Sequence, residues 1–153
     1  MQKIYKSYLL YFLILVYISG SIGFVINPSF FGPFTPYTLL LTCFVFLIHS
    51  SLTDKKFLFA FISVALLGFI IEVIGVKTGL IFGHYQYDRT LGFEILDVPP
   101  VIGVNWLLLV YCVGSSFCRV NQPIYIKVIY GAMLMTMFDF LVEPIAIRLE
   151  MWS

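Results

Sequence analysis

Five runs of apolar residues, each near the length that crosses a bilayer, set the terms on which this chain can fold. They fall at about 8–26, 34–49, 57–74, 99–117 and 124–147, and a membrane-spanning helix takes about 20 consecutive apolar residues. Inside lipid every backbone N–H and C=O must find its partner within the protein, so runs of this kind fold as helices. The second run is short, and Phe34-Thr35-Pro36-Tyr37 at its front supplies an interfacial start. Composition agrees: 61% of the 153 residues are hydrophobic and 11% are charged, against about 45–50% apolar in soluble domains. The expected fold is all-α: a polytopic transmembrane helical bundle of about five spans, forming a single integral membrane domain over 1–153.

The first run follows Lys3 and Lys6, as a signal peptide would, but it is too long for a signal h-region and no Ala-x-Ala site follows. It reads as a retained span. With the N-terminus in the cytoplasm, Lys3, Lys6, Lys55, Lys56, Arg119 and Lys127 lie inside, and Lys77, Arg89 and Arg148 outside. That two-to-one bias favours a multi-pass protein of the cytoplasmic membrane with its N-terminus inside. A formal net charge of +1 gives no reason to expect a nucleic-acid partner. Cys43, Cys112 and Cys118 lie in or beside apolar runs without metal-ligand spacing, as buried free thiols do.

The connections are short turns, at 27–33 and 50–56, except for one. Residues 75–98 are too polar to span and too aromatic to be a loose linker, and long structured loops in compact proteins are often binding elements. Glu72 ends the third run beside this loop, while Asp139 and Glu143 sit late in the fifth. Odd-numbered spans run in the same direction, so all three acids and the loop gather at one membrane face, whichever way the chain is inserted. Asp139 and Glu143 are four apart and share a helix face. Two carboxyls together in an apolar setting do not both ionise comfortably, so one of them is expected to hold a proton. Pro144 leaves the Phe140 carbonyl without its helical donor and should kink the helix beside the acids.

Each of these residues also has a structural reading. Glu143 could be an interfacial acid, Asp139 a packing hydrogen bond, and Glu72 a cap or a partner of Lys77 or Arg89. Gly75, Gly79 and Gly83 recur every fourth residue, as a small-residue packing face would. Tyr85, Tyr87 and Trp106 suit an interfacial belt. His49 reads as a solvated helix end, and His84, alone among the loop aromatics, does not make a metal site. Co-location is what argues for chemistry.

The pattern Glu72-x-x-Gly75-x-x-Thr78-Gly79-x-x-Phe82-Gly83-x-Tyr85-x-Tyr87 is followed by Leu91-Gly92, Asp97-Val98-Pro99, Gly103-Val104-Asn105-Trp106 and Asp139-x-x-x-Glu143-Pro144. From residue 70 to the C-terminus this resembles the membrane carotenoid-biosynthesis family that includes the bisanhydrobacterioruberin and γ-carotene-type 1,2-hydratases. Two departures stand out. The acid before proline is usually Asp in that family and is Glu143 here. Family members also usually continue into one or two more helices, so the chain, ending at Met151-Trp152-Ser153, reads as a short or truncated homologue.

The resemblance implies addition of water to the terminal C1–C2 double bond of an acyclic carotenoid. Protonation at C2 leaves a tertiary cation at C1, which water captures. Asp139 would be the acid, Glu143 would share its proton or orient the water, and Glu72 would be the base. Tyr85, Tyr87 and Trp106 would stabilise the cation, at about 0.5–2 kcal/mol each. Gly79, Gly83 and Gly92 would let the loop backbone, with His84, lie close to a flat polyene. No cofactor or metal is required, and the chain carries no nucleotide fingerprint, phosphate loop or haem motif. The implied partners are a lipid-soluble carotenoid, membrane lipid and either a second copy or other carotenoid enzymes. Two alternatives remain open on sequence: a membrane lycopene-type cyclase, which uses the same protonation, and a non-catalytic carotenoid-binding subunit.

Overall fold

A computed structural model of the chain describes residues 2–49, 54–148 and 151–152. The turn expected at 50–56 falls mostly outside the described residues. So do the side chains of Lys3, Lys6, Arg89 and Arg148, on which part of the orientation reading rested.

Helix α1 (Gln2–Ile26) ends at a sharp reversal. There the Asn27 side chain accepts the Phe30 N–H at 3.2 Å and starts the single turn α2 (Pro28–Phe31). A 3-10 turn (Gly32–Phe34) then leads into α3 (Thr35–His49), which runs back along α1. Helix α4 (Lys55–Thr78) starts where the Asp54 carboxylate accepts the Lys56 N–H at 2.9 Å, as an N-cap should. It stops at Gly79, whose φ of 64° is left-handed and whose N–H reaches the Gly75 carbonyl. Glycine is favoured there because it has no Cβ to strain. Helices α5 (Val101–Phe117) and α6 (Ile124–Arg148) complete the bundle. α6 continues through Pro144 to Arg148.

Among the described residues, four segments are long and apolar enough to cross a membrane: Ser7–Ile26, Pro28–His49, Lys55–Thr78 and Ile124–Ile147. The expected fourth span differs. Pro99 and Pro100 belong to the turn, their carbonyls accepting from Ile102 and Gly103, so α5 is only 17 residues long. At 1.5 Å per residue it covers about 25 Å, less than the hydrocarbon core of about 30 Å. It tolerates this because it is the central helix, packed against α3, α4 and α6, with Val101, Ile102, Gly103, Leu107 and Leu108 buried. α1, α4 and α6 present many exposed apolar side chains, as lipid-facing surfaces do, whereas α3 is mostly half-buried.

α4 and α5 approach closely because of two glycines. A Cβ on Gly103 would lie 2.6 Å from the Ala65 carbonyl oxygen, and one on Gly68 would lie 2.5 Å from the Trp106 Cβ. Small residues of this kind let membrane helices pack backbone to backbone. The buried core, Leu91, Val98, Val101 and Ile102, sits under the loop at one end of the bundle, joined by Val73, Tyr87, Trp106 and Met151. Gly32 meets Thr90 there, and the Asp88 N–H donates to the Met151 carbonyl at 3.0 Å. The α1–α3 turn, the loop and the end of α6 therefore meet at one face, as the alternation of spans requires.

Candidate functional site

Glu72, near the end of α4, is only 7% exposed and is the one buried charged residue among those described. Three donors converge on its carboxylate. The Tyr85 and Tyr87 hydroxyls donate to Oε2 at 2.5 and 2.9 Å, and the Trp106 indole Nε1–H donates to Oε1 at 2.8 Å. The polar atoms of these aromatics, whose ring faces the resemblance assigned to a cation, are turned onto Glu72. Lys77, offered as a partner for Glu72, pairs with Asp97 across the loop.

The loop is shaped to deliver the two tyrosines. Gly79 ends α4 with the His84 imidazole packed over it, 2.5 Å from where a Cβ would stand. Gly83 and Gly92 also take positive φ, 84° and 98°, and are open on the side where a Cβ would be. These glycines make turns; with α4 ending at Thr78, Gly79 and Gly83 lie beyond it and form no helical stripe. A two-residue hairpin closes the loop, its Ile95 and Val98 exchanging backbone hydrogen bonds at 2.9 and 3.2 Å around Leu96 and Asp97 at φ 57° and 66°. Such a turn normally favours Asn or Gly. Phe82, Tyr85, Tyr87 and Trp152 form a row of edge-to-face contacts, with centroids 6.3, 5.6 and 6.1 Å apart. Burial first, and then the Glu72 carboxylate, hold both tyrosine hydroxyls well above the ordinary phenol range, so they are donors.

Asp139 and Glu143 lie on α6 and are exposed. The apolar burial expected for them falls on Glu72, because α6 packs mainly on α5 and buries little beyond Gly131 and Ala146. Asp139 still lies within electrostatic range of Glu72. Sequence reasoning missed Trp152, whose ring backs Tyr87, and Gly68, which seats Trp106. A tryptophan just past a span reads as a belt aromatic, so no local signal tied it to the site. Among the described residues, no three His, Cys, Asp or Glu side chains are grouped to hold a metal ion.

A buried carboxylate gripped by aromatic donors, at one end of a helical membrane bundle, defines a membrane protein with a polar site set among lipid-facing helices. The chain belongs to the carotenoid biosynthesis protein family, which it matches over residues 34–153. It is also similar to the green-light absorbing proteorhodopsin of gamma-proteobacterium EBAC31A08 and to one from an unknown prokaryotic organism. Each is 30% identical over 81 residues, covering 48% of this chain and 32% of the relative. The chain thus spans about a third of the length of these curated relatives. No solved structure matches it.

Proposed function

We propose that this chain adds water to the terminal C1–C2 double bond of an acyclic carotenoid end group by acid catalysis, without a cofactor. The observation that carries the reading is the state of Glu72. A carboxylate offers about four acceptor positions; Tyr85, Tyr87 and Trp106 occupy three, and one on Oε1 is left for a water proton. Asp139, within electrostatic range, supplies the second carboxyl such a reaction needs.

In this scheme the Asp139 carboxylic acid gives its proton to C2, and the electron pair of the double bond forms the new C–H bond. Water then bonds through its oxygen to the tertiary cation at C1 and releases a proton to Glu72 Oε1. The product is a tertiary alcohol. Asp139 is left as carboxylate and Glu72 as acid, and return of one proton from Glu72 to Asp139 resets the site. Glu143, one helical turn from Asp139, orients the water or shares the Asp139 proton. Tyr85, Tyr87 and Trp106 act as positioning residues that hold the base. Gly79, Gly83 and His84 shape the loop that presents them. The site works in the cytoplasmic membrane, the N-terminus lying inside by the charge bias.

The test is expression in a host that accumulates lycopene or γ-carotene, with pigments separated and weighed by mass spectrometry. Hydration adds the mass of one water, and Asp139→Asn removes that product from a protein still folded in the membrane. A new pigment of unchanged mass would mark a cyclase and end the hydration reading; an Asp139→Asn protein of full activity would end the assignment of the acid.

A further inference from the structure

Between the end of α4 and the loop lies an open cavity of about 740 Å³ whose walls include Lys77, His84, Gln86, Glu94 and Asp97, together with Tyr85 and Tyr87. Lys77 and Asp97 are 49% and 63% exposed, so the cavity opens to water. Its two tyrosines belong to both compartments. They line the polar space, and their hydroxyls donate to the buried carboxylate. A hydroxyl that donates keeps lone pairs that can accept from water. Among the described residues, the outer surface of the helices is formed mostly by exposed apolar side chains, with Asp139 and Glu143 as its acids on α6.

We propose that this cavity is the water inlet of the site, with the Tyr85 and Tyr87 hydroxyls forming its inner end. The inlet rests on the hydration reading above, which consumes one water per turnover at a double bond held in an apolar setting. Water entering from the loop face hydrogen-bonds to a tyrosine oxygen and passes to the open position on Glu72 Oε1. On addition its oxygen goes to C1 and its released proton to Glu72, so nothing beyond water is drawn from the aqueous side. Both hydroxyls stay protonated, as burial beside the Glu72 carboxylate makes them do, so neither competes with Glu72 as the base.

The experiment uses the full chain in sonicated membranes, with Cys43, Cys112 and Cys118 replaced by Ala and a single cysteine introduced by Gln86→Cys on the cavity wall. A control carries Asn121→Cys instead, in the exposed connection between α5 and α6 at the other end of the bundle. Each protein is treated with a bulky charged methanethiosulfonate. Two readouts follow: carotenoid hydration, and hydroxyl-radical oxidation of Tyr87 and Trp106 mapped by mass spectrometry. In the unlabelled Gln86→Cys protein both half-buried residues are expected to oxidise, and hydration is expected to proceed. The label at 86 should remove most of both signals, and the label at 121 should change neither. Protection of Tyr87 and Trp106 before labelling, or full hydration after labelling at 86, overturns the inlet. Footprinting as expected in a protein that hydrates no carotenoid overturns the reading of the reaction instead.

Discussion

Replacing Glu72 by methionine keeps the length of the side chain and removes the only acceptor that three donors share. The two tyrosines line the polar cavity, and their hydroxyls can rotate toward water. The Trp106 N–H is fixed in its ring and has nowhere to turn. Stranding it costs about 1–3 kcal/mol, and each tyrosine gives up a bond to a charged acceptor, worth about 1.5–3 kcal/mol, for a weaker one to water. The expected loss is about 3–5 kcal/mol in all. Removing a charge from an apolar setting works the other way, and replacing whole buried ionic groups is often neutral or stabilising. Here the donors stay behind, so the penalty for orphaned groups should dominate. The assay is the temperature at which half of the detergent-solubilised protein remains monodisperse, expected to fall by about 6–20 °C. Adding Trp106→Phe, Tyr85→Phe and Tyr87→Phe removes the orphaned donors and should recover part of the loss. A Glu72→Met protein as stable as the native one, or phenylalanine substitutions that simply add further losses, would show that Glu72 does not organise the site.

Three further outcomes follow from the same geometry. Gly103→Ala should push α4 from α5, because its Cβ meets the Ala65 carbonyl oxygen at 2.6 Å; a loss of about 1–3 kcal/mol is expected by thermal denaturation, whereas Gly114→Ala, open in the same helix, should be tolerated. Gly79→Ala places a side chain at φ 64° and against His84, so it should lose more stability than Gly83→Ala, where only the backbone objects; left-handed strain alone is about 1–2 kcal/mol. Tyr85 and Tyr87, raised by burial and by Glu72, should not contribute to the tyrosinate absorbance that grows through the ordinary phenol range near pH about 10. Because the folded state favours their neutral form, their contribution to stability is present below that range and is lost as pH rises beyond it. Tyr85→Phe with Tyr87→Phe should leave the absorbance transition unchanged and make the alkaline loss of stability shallower.

The helices were legible because lipid leaves the backbone so few options. The 57–74 run extends in both directions to become α4, its ends set by Asp54 and Gly79, local signals that the sequence also carries. The alternation of spans was enough to bring 75–98 and the end of α6 to one face, where Asp88 meets Met151. Glu72, Tyr85, Tyr87 and Trp106 could all be singled out as polar or aromatic residues in the wrong place for lipid. Their joint purpose could not, because it depends on which way each side chain points. An aromatic ring looks the same in sequence whether its face meets a cation or its O–H meets a carboxylate. Two packing events set where the polar atoms point. Gly68 admits the Trp106 Cβ, which aims the indole N–H at Oε1, and Trp152 stands edge-on to Tyr87 at 6.1 Å, backing the ring whose hydroxyl reaches Oε2. Both partners are distant in the chain from what they position, so no periodicity or spacing could announce them. Asp139 went the other way. Its place late in an apolar run suggested burial, but α6 has a neighbour mainly on its α5 side, and the carboxyl is left on the open flank of the bundle within electrostatic range of Glu72. One acid is locked by three donors and the other is exposed, and the proposed scheme gives them different work. In that proposal the locked group would accept a proton without moving, and the exposed one would meet a substrate arriving from the lipid.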